Sequence, residues 1–173
     1  MATTAAGTPY VESSDLVANY PGVSLALATH IDTIGKIRQV VTSIYTSFFS
    51  TTSTSYVNTP LTVSITPSKT TSKVLVFATG IAGNTGTGGN GSILRIVRGA
   101  STELTVVGAP YRANEEIYAP WLATVLDSPS TTSSTSYTVQ IASQGASNAA
   151  LFNLDYGLFG GETCTMYAIE VAA

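Results

Sequence analysis

The chain has 173 residues, of which 44% are hydrophobic and only 10% are charged, and its formal net charge is −3. This length suits one domain with an appendage and allows a sizeable core. Plentiful apolar residues and a small net charge exclude a disordered chain. Seven basic residues against ten acidic ones provide no basic stripe, so we expect no nucleic-acid partner.

The scarcity of charge is the main feature of the composition, since average soluble domains have about 25% charged residues. Serine and threonine replace the missing charge, which is typical of a protein whose neighbours in an assembly cover its surface. A secreted or viral β-domain with a Ser/Thr surface is the alternative. No run approaches the roughly 20 apolar residues of a membrane span, and the N-terminus lacks the layout of a signal peptide, so we expect no membrane insertion.

The N-terminal segment differs from the rest of the chain. Its first residues lack periodicity and favour an extended arm. Apolar residues then recur at helical spacing over Val23–Ile34, and Gly35 follows as a C-cap, so the sequence predicts one helix of about three turns. Such a short helix needs a partner to be stable. We expect residues 1–40 to form an arm and short helix for docking or oligomerisation, and residues 41–173 to form a β-domain.

Strand patterns begin the β-domain. β-branched and aromatic residues favour a strand in Ile37–Phe49, although a continued helix is the alternative. Apolar residues alternate with Ser and Thr in Leu61–Ile65, which predicts a half-buried strand. Pro67–Ser72 provides a turn. The almost continuously apolar Lys73–Ala82 predicts a strand that is buried on both faces, in the core or at a subunit contact.

The second half of the chain alternates short strands with turns. Gly83–Ser92 is predicted to be an exposed apical loop, because it lacks the lysine and the following helix of a phosphate loop. A hairpin is predicted from strands at 92–98 and 102–107, and Gly108–Pro120 is predicted to be a long loop. Further strands are predicted at 121–126, 137–142, 151–158 and 163–171. This pattern predicts an all-β fold, an antiparallel jelly-roll β-sandwich with a short N-terminal arm and helix.

No group of residues has the composition of a catalytic site. His30 is the only histidine, and we interpret it as a packing or capping residue of the predicted helix. Glu115 and Glu116 are adjacent loop residues, which seldom hold the separation of about 5–9 Å that paired acids need in glycoside hydrolysis. Cys164 is the single cysteine and is interpreted as a buried, inert thiol. We therefore predict no enzyme, no cofactor and no metal site.

Aromatic residues near the long loop are the candidates for surface binding. Tyr111, Tyr118 and Trp121 have apolar rings with polar edges, which suits interfaces and sugar rings. Core packing or a trimer interface is the alternative for Trp121. Because aromatic and arginine side chains dominate binding hot spots, Tyr111, Arg112 and Tyr118 are our candidates for contact with a host surface.

Several segments of the β-domain resemble a known family. They are LTVSITPSKTTSKVLV from Leu61, LRIVR from Leu94, VLDSPSTTSSTSYTVQ from Val125 and MYAIEV from Met166. Together they resemble the trimeric jelly-roll domains at the C-terminal end of phage tail fibres and other virion appendages, over roughly residues 45–173. The resemblance implies a homotrimeric, non-enzymatic fibre or spike of the virion, made in the host cytoplasm. Contact with a host-surface glycan or protein is a further implied role.

A second resemblance concerns the N-terminal segment. PYVESSDLVANYPGVSLALATHID, which starts at Pro9, resembles N-terminal segments of phage tail-associated structural proteins. It implies docking to other virion proteins through residues 1–35, and the candidate docking residues are Tyr10, Asp15, Tyr20, Pro21, Leu27 and Ile31. Two alternatives stay open at this point: a capsid decoration or cement protein, and a carbohydrate-binding or carbohydrate-active module.

Overall fold

The computed structural model describes residues 2–3, 9–10, 37–85, 91–108, 117–153 and 163–172. Within these ranges the regular elements are β-strands, and their pairs are antiparallel. The predicted all-β antiparallel class is thereby confirmed. The strands are β1 (Ala2–Thr3), β2 (Pro9–Tyr10), β3 (Ile37–Tyr45), β4 (Phe49–Thr51), β5 (Val57–Ile65), β6 (Lys73–Asn84), β7 (Ser92–Arg98), β8 (Thr102–Gly108), β9 (Ile117–Asp127), β10 (Thr135–Ser143), β11 (Ala150–Phe152) and β12 (Cys164–Val171).

The larger sheet is built around the long strand β6. On one side β6 pairs with β9 from Val74 to Asn84. On its other side it pairs with β12 and then with β11, which lie end to end. Strands β3 and β4 lie beyond them, against β12 and β11 respectively. The sheet therefore has four lines of strand, in the order β9, β6, β12 with β11, and β3 with β4.

The smaller sheet has the order β5-β10-β7-β8, and β1 and β2 form a separate two-stranded pair. The predicted hairpin of β7 and β8 is confirmed. Its turn contains Gly99 at φ 61°, a left-handed conformation that glycine adopts without a steric penalty.

One hydrophobic cluster takes side chains from both sheets, which is consistent with a β-sandwich. On β5, Leu61, Val63 and Ile65 are buried while the residues between them are exposed, so the predicted alternation is confirmed. Burial of one such side chain stabilises the fold by roughly 1.5–3 kcal/mol. The apolar alternation of each strand therefore fixes which face points inward.

Strand β6 corrects one prediction. The sequence predicts burial on both faces, but the fully buried apolar side chains, Val74, Val76, Ala78 and Ala82, all lie on the inner face. Leu75 and Phe77 on the outer face are half-buried. The outer face of β6 is apolar but is not covered by other parts of the single chain. Burial of this face at a subunit contact therefore stays a prediction.

Asn153 lies between the end of β11 and the start of β12, and it also contacts the segment between β3 and β4. Its backbone N–H donates to the carbonyl oxygen of Ile81 at 2.9 Å. Its side-chain amide donates to the carbonyl oxygens of Tyr45 and Ser47, at 3.1 and 3.0 Å. Asn153 is buried and has φ 54°, a left-handed conformation that asparagine tolerates better than most residues. This conformation ends β11.

Gly80 lies opposite the break between β11 and β12, where Cys164 begins β12. A Cβ atom on Gly80 would overlap the Sγ of Cys164. Cys164 is fully buried, as the sequence predicts. The sheet thus needs glycine at position 80 because a thiol side chain occupies the space above it.

Three predicted boundaries are wrong. Gly108–Pro120 is not a loop throughout, because β8 includes Gly108 and β9 begins at Ile117. Gly83 and Asn84 belong to β6, and Ser92 belongs to β7, so the predicted loop Gly83–Ser92 is shorter at both ends. The strand predicted at 151–158 includes Asn153, but β11 ends at Phe152; residues 154–158 lie outside the described ranges. In Ile37–Phe49 the strand prediction is confirmed over the helix. The predicted helix at 23–34 lies outside the described residues.

Candidate functional site

Most of the predicted contact residues lie outside the described part of the chain. They are Tyr111, Arg112 and five of the docking candidates, Asp15, Tyr20, Pro21, Leu27 and Ile31. The residues considered for chemistry, His30, Glu115 and Glu116, also lie outside the described part. The backbone of Tyr10 lies in β2, opposite Ala2. Docking by these residues therefore stays a prediction.

Tyr118 and Trp121 both lie on β9. The loop predicted for Tyr118 is therefore wrong, and the strand predicted for Trp121 is confirmed. Tyr118 is half-buried opposite Gly83, and a Cβ on Gly83 would meet its ring and the Ile117 carbonyl. Trp121 is buried in the core, with its ring centroid 5.9 Å from that of Phe152. Trp121 is thus a core residue, which is the alternative that the sequence left open for it.

The outer face of the larger sheet has three uninterrupted rows of uncharged side chains. Register and burial place four strands side by side there, in the order β3, β12, β6, β9. The first row is wholly aliphatic. The rows are Val40, Ile169, Leu75 and Leu126; Thr42, Tyr167, Phe77 and Thr124; and Ile44, Thr165, Thr79 and Leu122.

This apolar face, as we call these twelve residues, is most exposed at its two edges. Val40 and Ile44 on β3 are 54% and 62% exposed, and Leu122 and Leu126 on β9 are 54% and 52% exposed. Strand spacing and rise give the face a projected area of about 400 Å². Seven of its twelve side chains are apolar, and exposed apolar side chains grouped on one face often mark an interaction site. The chemistry of the face favours a protein contact without charge pairing.

The outer face of the smaller sheet has the opposite chemistry. Gln140 on β10 donates to the Oδ1 of Asn58 on β5 at 2.7 Å and accepts from the Nε of Arg95 on β7 at 2.7 Å. Arg95 also forms a 2.8 Å ion pair with Glu103 on β8. The four side chains, which we call the polar row, therefore join four neighbouring strands in one hydrogen-bonded chain.

Tyr56 lies beside the polar row. The guanidinium carbon of Arg95 is 3.9 Å from the centre of the Tyr56 ring, a cation–π arrangement. Burial raises the pKa of the Tyr56 hydroxyl, and Arg95 opposes this shift. The ring therefore remains neutral at neutral pH, and Arg95 is held by contacts on three sides.

Glu170 is a buried carboxylate at one end of the fold. The backbone N–H and the hydroxyl of Ser68 donate to its Oε1 at 2.7 and 2.6 Å, and the Nε2 of Gln39 donates to its Oε2 at 2.9 Å. Burial alone would raise the pKa of Glu170, but these hydrogen bonds outweigh it and lower the pKa to about 2. Glu170 thus anchors the turn between β5 and β6, and its role is structural.

Asp127 is the second buried carboxylate, and it connects the two sheets. The Nη1 of Arg98 donates to both of its oxygens at 2.8 and 2.9 Å. The hydroxyl of Tyr137 donates to its Oδ2 at 2.8 Å. Burial, and then the Asp127 carboxylate, raise the pKa of Tyr137. All three polar side chains of this cluster have hydrogen-bond partners, so it also has a structural role.

Sequence reasoning missed both sheet faces as specific surfaces. The apolar face has a signal, because outward positions of KVLVF, WLATVL and MYAIEV are apolar as well as inward ones. The polar row has no such signal. Asn58, Arg95 and Gln140 are ordinary polar residues at outward strand positions, and only the register between three strands brings them together.

Comparison with known proteins adds no family assignment, because neither the protein-family models nor the curated proteins contain a match to this chain. In the ranges that the structure describes, no helix is long and apolar enough to cross a membrane. In the same ranges, no three His, Cys, Asp or Glu side chains are grouped as a metal site would require.

Proposed function

We propose that the chain is a non-enzymatic structural protein of a bacteriophage particle, a homotrimeric fibre or spike with a jelly-roll domain. The strand pairing supports the jelly roll. We count β3 and β4 as one strand position, and β11 and β12 as another, because each pair occupies one line in the sheet. The chain then has eight successive strand positions from β3 to β12. The first pairs with the eighth, the second with the seventh, the third with the sixth and the fourth with the fifth. A long hairpin rolled into two four-line sheets has this pairing.

The apolar face is the observation that carries the proposed trimer. Exposed Val, Ile and Leu side chains in the first and third rows favour burial against another protein surface. In a homotrimer the apolar face of each copy lies against the other two copies, with one part of the face against each of them. Since the three rows contain no charge, three copies of the face meet without like-charge repulsion.

The distribution of exposure on the apolar face fits a ring better than a two-fold dimer. The most exposed aliphatic residues lie on β3 at one edge and on β9 at the other. A cyclic assembly of three copies uses two different patches on each copy, one for each neighbour. We propose that the β3 edge of one copy contacts the β9 edge of the next.

The remaining roles rest on the sequence. Residues 1–35 dock the protein to other virion components, and Tyr111, Arg112 and Tyr118 contact the host surface. Deletion of residues 1–35 should leave a soluble β-protein that no longer enters particles. If the shortened chain enters particles at normal occupancy, the N-terminal segment is not the anchor.

Two measurements test the proposed function. Sedimentation velocity of the full chain at micromolar concentration should give three times the chain mass of 17.9 kDa. Cryo-electron microscopy of particles of the virus that encodes the chain should show it as a threefold appendage. A stable monomer contradicts the trimer, and absence from purified particles contradicts the virion role. A regular arrangement over the capsid surface would instead establish the decoration or cement protein.

A further inference from the structure

We propose that the polar row and Tyr56 form a binding site for a neutral glycan. This site lies on the outer face of the smaller sheet, on the side of the domain opposite to the apolar face. It therefore stays accessible in the proposed trimer. The inference rests on the proposed function only for the source of the glycan, a host surface; binding itself requires neither the trimer nor the particle.

The internal contacts of the polar row hold its side chains in fixed orientations. Gln140 is 6% exposed and is held by Asn58 on one side and Arg95 on the other. Arg95 is held by Gln140, Glu103 and the Tyr56 ring. Binding to preorganised groups loses less conformational entropy than binding to mobile ones. The row thus differs from a set of freely rotating surface side chains.

The row also keeps donors and acceptors for a ligand. Among the described residues, no hydrogen bond involves the Nδ2 of Asn58, the Nη2 of Arg95 or the Oε1 of Glu103. Asn58 and Glu103 are exposed, and part of Arg95 is accessible. These groups present donors at Asn58 and Arg95 and an acceptor at Glu103, which matches the mixed donor and acceptor character of sugar hydroxyls.

The spacing of the row fits more than one sugar ring. Asn58 and Arg95 lie on strands two spacings apart, which is about 10 Å, a distance comparable with the length of two linked sugar rings. Thr62 and Thr138 add a pair of hydroxyls further along β5 and β10, 3.0 Å apart. Tyr56 contributes a partly exposed aromatic ring beside the row, and aromatic rings pack against the C–H faces of sugars.

The charge balance of the polar row favours a neutral glycan as the ligand. The guanidinium of Arg95 is paired with the Glu103 carboxylate at 2.8 Å, so the row has no net charge. A phosphate or an acidic sugar would approach Glu103 as a like charge, which disfavours binding. Neutral sugars bind through hydrogen bonds and ring contact alone, and the row provides both.

The test uses the full chain and a panel of immobilised neutral and acidic oligosaccharides, followed by titration calorimetry with the strongest neutral one. Asn58→Ala should weaken its binding about tenfold, through loss of the Asn58 donor and of the support for Gln140. Tyr56→Ala should also weaken it. Ser64→Ala is the matched control, because Ser64 is an exposed residue of the same strand outside the row, and it should change binding less than twofold.

Three outcomes overturn the proposal: no neutral oligosaccharide binds at millimolar concentration, only acidic ones bind, or Asn58→Ala and Ser64→Ala behave alike. Sedimentation and far-ultraviolet circular dichroism on the same samples exclude a loss of folding or assembly. A trimer that is present in particles but binds no glycan overturns this site and leaves the proposed function intact. A chain that binds glycan but is absent from particles supports this site and overturns the proposed function.

Discussion

The Glu170 carboxylate and Ser68 form a two-point contact, in which the Ser68 backbone N–H and hydroxyl both donate to Oε1 at 2.7 and 2.6 Å. Ser68 lies in the turn after β5, and Glu170 lies near the end of β12. One buried carboxylate therefore connects a turn early in the domain to its last described strand. Because the contact requires the ionised form of Glu170, its contribution to stability depends on pH.

Glu170→Gln should lower the free energy of unfolding by roughly 2–3 kcal/mol at pH 7. The pKa of Glu170 is lowered from 4.5 to about 2 in the folded protein, so its stabilisation is present above pH 4.5 and is lost as the pH falls towards 2. The difference between wild type and variant should therefore shrink between those two pH values. Thermal unfolding at pH 7 and pH 3 measures this, with the half-exposed Glu103→Gln as a control that should change stability little. A difference that does not depend on pH would contradict the assignment.

Asp127→Ala should destabilise the protein more than Tyr137→Phe. The first change leaves Arg98 and the buried Tyr137 hydroxyl without their shared partner and should cost about 3 kcal/mol. The second removes one hydrogen bond and leaves the Arg98–Asp127 pair, at a cost of about 1 kcal/mol. Denaturant unfolding of both variants measures the difference, and equal losses would show that Asp127 does not hold the cluster together.

Val40→Asp and Leu126→Asp should each dissociate the proposed trimer without unfolding the chain. Both side chains are more than half exposed in the single chain, so a charge there is hydrated in the monomer but is buried in the assembly. We expect the association constant to fall at least 100-fold, measured by sedimentation over a range of concentrations.

Val106→Asp is the matched control for these two variants. Val106 lies on β8 of the other sheet and is 48% exposed, so the same substitution at similar exposure tests for non-specific effects. It should leave the trimer intact. If all three variants dissociate the trimer, or none does, the apolar face is not the contact.

Gly80→Ala should destabilise the fold by about 1–3 kcal/mol, the usual range for overpacking. The new methyl group would overlap the Cys164 thiol, whereas Gly108→Ala introduces a methyl group with no atom within 4 Å and serves as the control. Thermal unfolding compares the two. A Gly80→Ala variant as stable as Gly108→Ala would show that Cys164 can move aside.

The sequence predicts those strands whose pattern is determined locally. Alternation over Leu61–Ile65 identifies β5, and the short polar turn at Gly99 identifies the β7–β8 hairpin. It does not predict the start of β9, because Gly108, Pro110 and Pro120 give this segment the composition of a loop. Pro120 fits there because β9 pairs only with β6 among the described strands, and a proline at a free strand edge removes no hydrogen bond of the sheet.

The apolar face is easier to predict from the sequence than the polar row, because its pattern also is determined within single strands. The second apolar side of Lys73–Ala82 already indicates a core or a subunit contact. By contrast, Asn58 and Arg95 are 37 positions apart in the sequence and meet only through Gln140 between them. Hydrogen-bonded rows across a sheet depend on register, and periodicity within one strand carries no information on the register with its neighbours.

Strands β11 and β12 lie end to end in the larger sheet, and the segment that connects them is longer than the gap between them. Phe152 pairs with Ala82 and Thr165 pairs with Thr79, so residues 153–164 connect two positions that lie only three residues apart on β6. Asn153 and Cys164 hold the two ends of the break. We therefore expect a peptide inserted between them, for display or labelling, to leave the register of both strands unchanged.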